Sequence, residues 1–448
     1  MKIITRQTVL KKINIAENEL LECYQLLKDF KNGNFTVLIS FQPKLAICLY
    51  KLSVFYQELC KEHKEIISRK EKFTEQELKI LLKNNSDFQK AIKAIIEIGK
   101  TLGDSYAYFF FNDNIDTLHK NLTHQNTGFF PTGIGGQGEL QFIRNYQSLG
   151  GAYIIHHSIT SMLKTGDFSL YQPDAGIIGY GEIKTEVVDG HLSLNIITST
   201  NIDLEINESE SLNLCSDVND LVKKYPKLSK QLAIQEKLLK FKKSDFKKNL
   251  EIKFEHKLLN KLIENEIAIN QDKNIILYGY RPYYNDSIER LMNDQNCEDE
   301  TLPIELKSYV HEFIISNSKY NMVIMKKIDC NITHTRVPMF WWNIDSKLFQ
   351  DILFGKLRVI SLYNPAKLLD YYESKGFKVS FLNPKNFYLY KQINGNNVEF
   401  RDFNIINDLA MYSLMKFNNI IKLINDYFSG IESGRYPVGT KIKVNIKL

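Results

Sequence analysis

A change of periodicity near residue 130 constrains the fold more than any other feature of this chain. From 6 to 125, apolar residues recur at intervals of three and four. Examples are Leu20, Leu21, Cys23, Tyr24 and Leu27, and again Ile80, Leu81, Phe88, Ile92, Ile95 and Ile96. That spacing lines one face of an α-helix, and Pro43 is the one proline in the stretch. Thr74 with Glu77 has the form of a capping box, which opens a helix. Several antiparallel helices are expected. Residues 126–138 then hold five glycines and a proline and read as a loop. A helix is expected from Glu139 to the Gly150-Gly151 pair. Strand-like runs follow at 152–156, 168–170, 174–178, 181–188 and 192–198, then a basic helical segment, then a buried strand at 274–280. Helix, strands, helix and strand in that order give an α/β core. Farther on, 357–362 and 377–381 read as strands with a helix over 365–375 between them, and 409–428 reads as one C-terminal helix. The expected division is a helical domain over 1–125, an α/β domain over 126–330 and an α/β extension over 331–448.

The length, 448 residues, suits two or three domains. No apolar run approaches the ~18–20 residues that cross a bilayer, and the N-terminus turns polar too soon for a secretory signal. The six cysteines form no CxxC pair and no zinc-ligand spacing. A cytoplasmic chain with no membrane partner is expected. The net charge of +6 is unevenly spread: residues 221–261 hold thirteen lysines against four acidic residues. Such a segment is a candidate phosphate-contacting surface, with Lys223, Lys224, Lys227 and Lys230 at its start. A solvated helix face is the plainer alternative.

Hydrolysis of a phosphodiester with metal assistance needs a hard cation held by oxygen ligands, and a group that stabilises charge on the phosphate. The run Pro173-Asp174-Ala175-Gly176-Ile177-Ile178-Gly179-Tyr180-Gly181-Glu182-Ile183-Lys184 offers both. Glu182 and Lys184 are two apart in a strand and share a face. With Gly179-Tyr180-Gly181 as a three-residue turn, Ile178 pairs with Glu182, and Asp174 falls on that same face. Glycine at Gly181 would supply the left-handed conformation such a turn needs. The pattern of an acid, any residue and lysine recurs elsewhere, as at Glu62, Glu77, Asp245, Glu251, Glu255, Glu305 and Asp345 among others. Only Glu182 follows a Pro-Asp pair across glycines.

These residues resemble the PD-(D/E)xK, or restriction-endonuclease-like, nuclease superfamily over about 130–285. The resemblance implies a mixed sheet flanked by helices. It also implies Mg²⁺, with Mn²⁺ able to substitute, held by Asp174 and Glu182 with Glu139 on the preceding helix as a further ligand. Lys184 would position water or stabilise charge. Gln231 or Gln235 would match a glutamine on the helix after the lysine strand. The implied activity is cleavage of nucleic acid, with DNA the expected substrate, and would suit a bacterial defence or restriction effector. Two other readings stand beside it. One is a nuclease-fold module without catalysis that binds nucleic acid or a protein. The other is a helical scaffold that uses residues 6–125 to bind a partner or self-associate.

Other signals weigh less. Residues 133–138 fit GxGxxG, but no strand precedes them and no acidic residue follows at the right distance for a dinucleotide fold. His156 and His157 read as structural. Trp341 and Trp342 read as core packing rather than a base-stacking platform.

Overall fold

The computed structural model describes residues 3–111, 128–163, 165–200, 213–214, 255–270, 272, 274–293, 304–315, 320, 322–328, 330, 338–383, 386–401 and 403–436. The chain forms two compact units, Met1–Lys247 with Tyr284–Gln295, and Lys248–Tyr283 with Asn296–Leu448. Both mix helices with largely antiparallel sheet.

The first unit opens with three long helices, α1 (Arg6–Lys31), α2 (Leu38–Ser68) and α3 (Glu75–Phe111). The capping box forms as read. Glu77 accepts from the Thr74 N–H at 2.9 Å, and the Thr74 hydroxyl accepts from the Glu77 N–H at 3.3 Å. Replacing Thr74 with Ala removes one half of that exchange. It should lower stability by about 1 kcal/mol, read as a shift of the urea midpoint with unchanged slope. By length and composition 35–68 could cross a membrane, although the sequence reading found no such run. Its polar groups are instead used inside the unit. Gln42 donates to the Ile154 carbonyl at 2.8 Å and accepts from the His156 N–H at 2.9 Å. Glu62 accepts from Asn85 at 2.8 Å, and Ser53 accepts from the Phe130 N–H at 3.0 Å.

A fourth helix, α4 (Gly133–Asn145), precedes a six-stranded sheet. The helix begins six residues before the expected Glu139, with Thr132 as its N-cap. Two of its glycines are close-packing sites. A Cβ on Gly138 would lie 2.0 Å from the Thr185 hydroxyl, and one on Gly136 would lie 1.9 Å from the Pro131 carbonyl oxygen. The strands run in sheet order β1 (Ser148–Leu149), β2 (Ala152–His156), β3 (Phe168–Gln172), β4 (Gly176–Val188), β5 (His191–Thr200) and β6 (Asn213–Leu214). All neighbours are antiparallel except β5 and β6. One face packs on α4 through Phe142, Ile154, Phe168, Leu170 and Ile183. The other receives α3, whose Phe110 ring meets Tyr153 at 5.5 Å and Tyr171 at 5.0 Å. Because α1–α3 share a unit with the sheet, the division differs from the separate helical domain expected over 1–125.

The hairpin turn is not where the glycines suggested. Residues 174–178 and 181–188 do not form two strands. Instead β4 runs unbroken through Gly179, Tyr180 and Gly181, and the chain reverses at Pro173-Asp174-Ala175. Gly176, with φ of +74°, supplies the left-handed residue. Gly181 serves packing, since a Cβ there would lie 2.0 Å from the Phe168 ring.

The second unit holds a sheet in the order β7 (Ile267–Ile269), β8 (Ile275–Tyr280), β10 (Arg358–Tyr363) and β9 (Ile324–Ile328). It also holds a meander of β11 (Lys378–Asn383), β12 (Asn386–Ile393) and β13 (Asn396–Phe400). The expected strands near 274–280, 357–362 and 377–381 and the helix near 365–375 are present. The single C-terminal helix over 409–428 is two helices, Phe403–Met411 and Phe417–Glu432, broken at Leu414 with φ of +51°. Trp342 is buried and stacks on His256 at 4.1 Å, as core rather than as a platform for bases.

Candidate active site

The register of β3 and β4 builds the site. Phe168 pairs with Gly181, and the Asp167 N–H donates to the Gly181 carbonyl at 2.8 Å. Continuing that register one step sets Asp167 opposite Glu182. The Ile183 N–H, which lies between Glu182 and Lys184, donates to the Asp167 carboxylate at 2.6 Å. Lys184 is two residues along β4, on the face shared by Asp167 and Glu182. Its ammonium meets the buried Glu182 carboxylate at 3.0 Å.

Asp174 is elsewhere. It is exposed in the turn at the hairpin's tip. Glu182 lies six steps along β4 from Gly176, a distance of about 20 Å at ~3.4 Å per residue. The aspartate beside Glu182 is Asp167, which the sequence reading missed. The available signal was Gly166-Asp167 immediately before the apolar run of β3. Pro-Asp and the glycines of 179–181 mask it by imitating a strand and a turn.

Glu139, expected as an accessory carboxylate, is buried on α4. Burial pushes its carboxyl up to about 8, with Asp167 adding repulsion and Glu182 adding less, while the neighbouring Ser158 hydroxyl and Lys100 ammonium pull it back. Burial and then Asp167 raise Glu182 to about 7, against the pull of Lys184. Asp167 is also raised by burial, and the Ile183 N–H and Lys184 oppose the rise. Three carboxylates thus share a site with too little positive charge to hold all of them ionised comfortably. Lys223, Lys224, Lys227, Lys230, Gln231 and Gln235 lie outside the described residues.

Asp167 is held from α3. The segment 157–163 leads to it, and Gly103 allows the Ile159 carbonyl to approach the helix closely: a Cβ on Gly103 would lie 1.9 Å from that oxygen. Asp104 accepts from the Ser161 N–H at 2.7 Å, the Met162 N–H at 3.1 Å and the Ser161 hydroxyl. Lys100 donates to the carbonyls of Ser158 and, at 3.2 Å, Thr160. His157 then bonds the Gly166 carbonyl at 3.0 Å and the Ser169 hydroxyl at 2.6 Å. None of these contacts was legible in the sequence.

His156 points to the opposite face, edge-on to Phe142 at 5.5 Å. Burial pushes its pKa down from 6.5 to about 3, and that of the adjacent His157 to about 4. The unfolded chain therefore takes up a proton that folded His156 refuses, and this residue costs stability as the pH falls below 6.5. A His156→Leu variant should gain on the wild type by about 1.4 kcal/mol per pH unit below that point. Urea midpoints at neutral pH and at mild acidity would read the difference.

Among the described residues no three His, Cys, Asp or Glu side chains surround a point closely enough to hold an ion by themselves. Glu139, from α4, and Asp167 line one recess. The donor set still fits a hard cation. Magnesium takes one or two carboxylates, with waters and phosphate oxygens completing its shell, and Asp167 and Glu182 supply such a pair with raised affinity for positive charge. Comparison with known proteins found no matching family model, no matching curated protein and no matching solved structure.

Proposed function

We propose that the first unit is a divalent-metal-dependent nuclease of the PD-(D/E)xK kind, acting on DNA. The observation that carries this reading is the placement of Asp167, Glu182 and Lys184 on one face of two paired strands, with the Ile183 N–H fixing the aspartate. The finer restriction-endonuclease-like core belongs to the same proposal. It is supported by a helix bearing Glu139 directly before the strands that carry the other three residues.

In this reading Asp167 and Glu182 bind the cation. A bound divalent ion supplies Lewis-acid stabilisation of the phosphate and a more acidic water. Lys184 keeps Glu182 oriented, and its charge faces the anionic substrate and stabilises the negative charge that grows during attack. Glu139 lines the same recess as Asp167, repels its charge and adds negative charge to the site. The site needs nothing from the exposed Asp174.

The test is incubation of the purified chain with duplex DNA, single-stranded DNA and RNA in Mg²⁺, Mn²⁺ or EDTA. Cleavage in either metal and none in EDTA is expected. Equal cleavage in EDTA would remove the metal from the mechanism. No cleavage of any substrate would leave the site as a binding module.

A further inference from the structure

A recess of about 150 Å³ opens beside Asp167 and Glu139 on the side where α3 grips the 157–163 segment. Phe129 and Leu163 give it apolar walls, and Lys100 and Thr160 give it polar ones. The Phe129 wall is braced by its stack on Tyr56, with ring centroids 4.2 Å apart. The Thr160 hydroxyl donates to the His157 carbonyl at 2.9 Å, so the polar wall is also fixed. The volume is well below the ~300 Å³ at which pockets for drug-sized ligands begin. That volume is on the scale of one nucleobase rather than a base pair.

We infer that this recess receives a single unpaired nucleobase from the DNA strand being cut, and so selects single-stranded or locally opened DNA over intact duplex. The inference rests on the nuclease reading, which places the scissile phosphate at Asp167 on the recess rim. Three features support it. The recess and the carboxylates share a wall, so a base seated there belongs to a nucleotide next to the reacting phosphate. Its mixture of aromatic, aliphatic and hydrogen-bonding groups is that of pockets that hold a base out of its stack. A braced aromatic wall tolerates any base, since each presents a π-face.

The experiment uses single-stranded oligonucleotides carrying 2-aminopurine, whose fluorescence reports whether the base is stacked, with Ca²⁺ in place of Mg²⁺ so that binding is read without turnover. The wild type should change the fluorescence. Leu163→Trp, which fills the recess, should weaken that response at least tenfold. Phe129→Ala, which removes a wall without adding bulk, should weaken it as well, and thermal melts establish that both variants fold. No fluorescence change with the wild type, or an equal change with the folded variants, overturns the inference. Cleavage rates separate it from the nuclease reading. Equal cleavage of duplex and single strand, unaffected by Leu163→Trp, sinks the recess and leaves the nuclease. A Leu163-dependent fluorescence signal from a protein that cleaves nothing keeps the recess and sinks the nuclease.

Discussion

Gly103→Ala should unfold much of the first unit, although it adds one methyl group at a helical position where alanine is intrinsically favoured by ~1 kcal/mol. The new Cβ would fall 1.9 Å from the Ile159 carbonyl oxygen and 2.8 Å from its carbon. Both are backbone atoms, so no side-chain rotation relieves the contact. The 157–163 segment must leave α3, and with it go the bonds from Asp104 and Lys100. Asp104 is buried and pushed up to about 6 by that burial, so without its N–H partners it loses what holds its charge. A loss of at least ~3 kcal/mol is expected, together with loss of any activity that needs Asp167. Gly99→Ala, one turn earlier, is the control. Its nearest obstacles are the Leu49 Cδ2 at 2.8 Å and the Leu20 Cδ2 at 3.1 Å, which are side-chain ends rather than backbone. That change should cost ~1–2 kcal/mol, clearly less than Gly103→Ala. Thermal melts of the two variants read the contrast, and similar losses would show that α3 does not hold the segment as described.

Glu182→Gln and Lys184→Ala should each lower metal-dependent cleavage by ~10²–10³-fold, but for different reasons. On the proposed reading the glutamine variant loses one of two paired oxygen ligands, so Mn²⁺ binding, followed by the ion's electron paramagnetic resonance signal, should weaken in parallel with activity. The alanine variant removes a cation 3.0 Å from Glu182. Taking away that positive charge leaves the carboxylates more attractive to a metal, so Mn²⁺ should bind as well as before or more tightly while cleavage falls. A loss of Mn²⁺ binding in Lys184→Ala equal to that in Glu182→Gln would contradict these separate roles.

The positions of Glu182 and Lys184 on one strand and of Glu139 on a helix before it were legible in the sequence because they depend on short-range rules. A strand alternates its side chains every two residues, and a helix before the strands brings one more carboxylate. Asp174 was misread because a glycine has more than one use. Gly179 and Gly181 looked like a turn, whereas Gly181 makes room for the Phe168 ring and the strand continues through it. The turn glycine is Gly176, and moving the reversal to it exchanges Asp174 for Asp167. The helices over 6–111 were legible as helices, and the Thr74 capping box formed as expected. Their docking on the site was not, because Lys100, Gly103 and Asp104 act on residues more than fifty positions away. Burial of a lysine and an aspartate on one helix face leaves no periodic mark. The basic run over 221–261 lies largely outside the described residues, with only 255–261 among them.

The assignment of Asp167 to the proposed metal site is the central claim, and a paired substitution tests it most directly. Asp167→Asn and Asp174→Asn would be compared with the wild type for cleavage of single-stranded DNA in Mg²⁺. The structure predicts a fall of ~10³-fold for Asp167→Asn and an unchanged rate for Asp174→Asn. Full activity in Asp167→Asn, or loss of activity in a folded Asp174→Asn, would contradict the site assembled here.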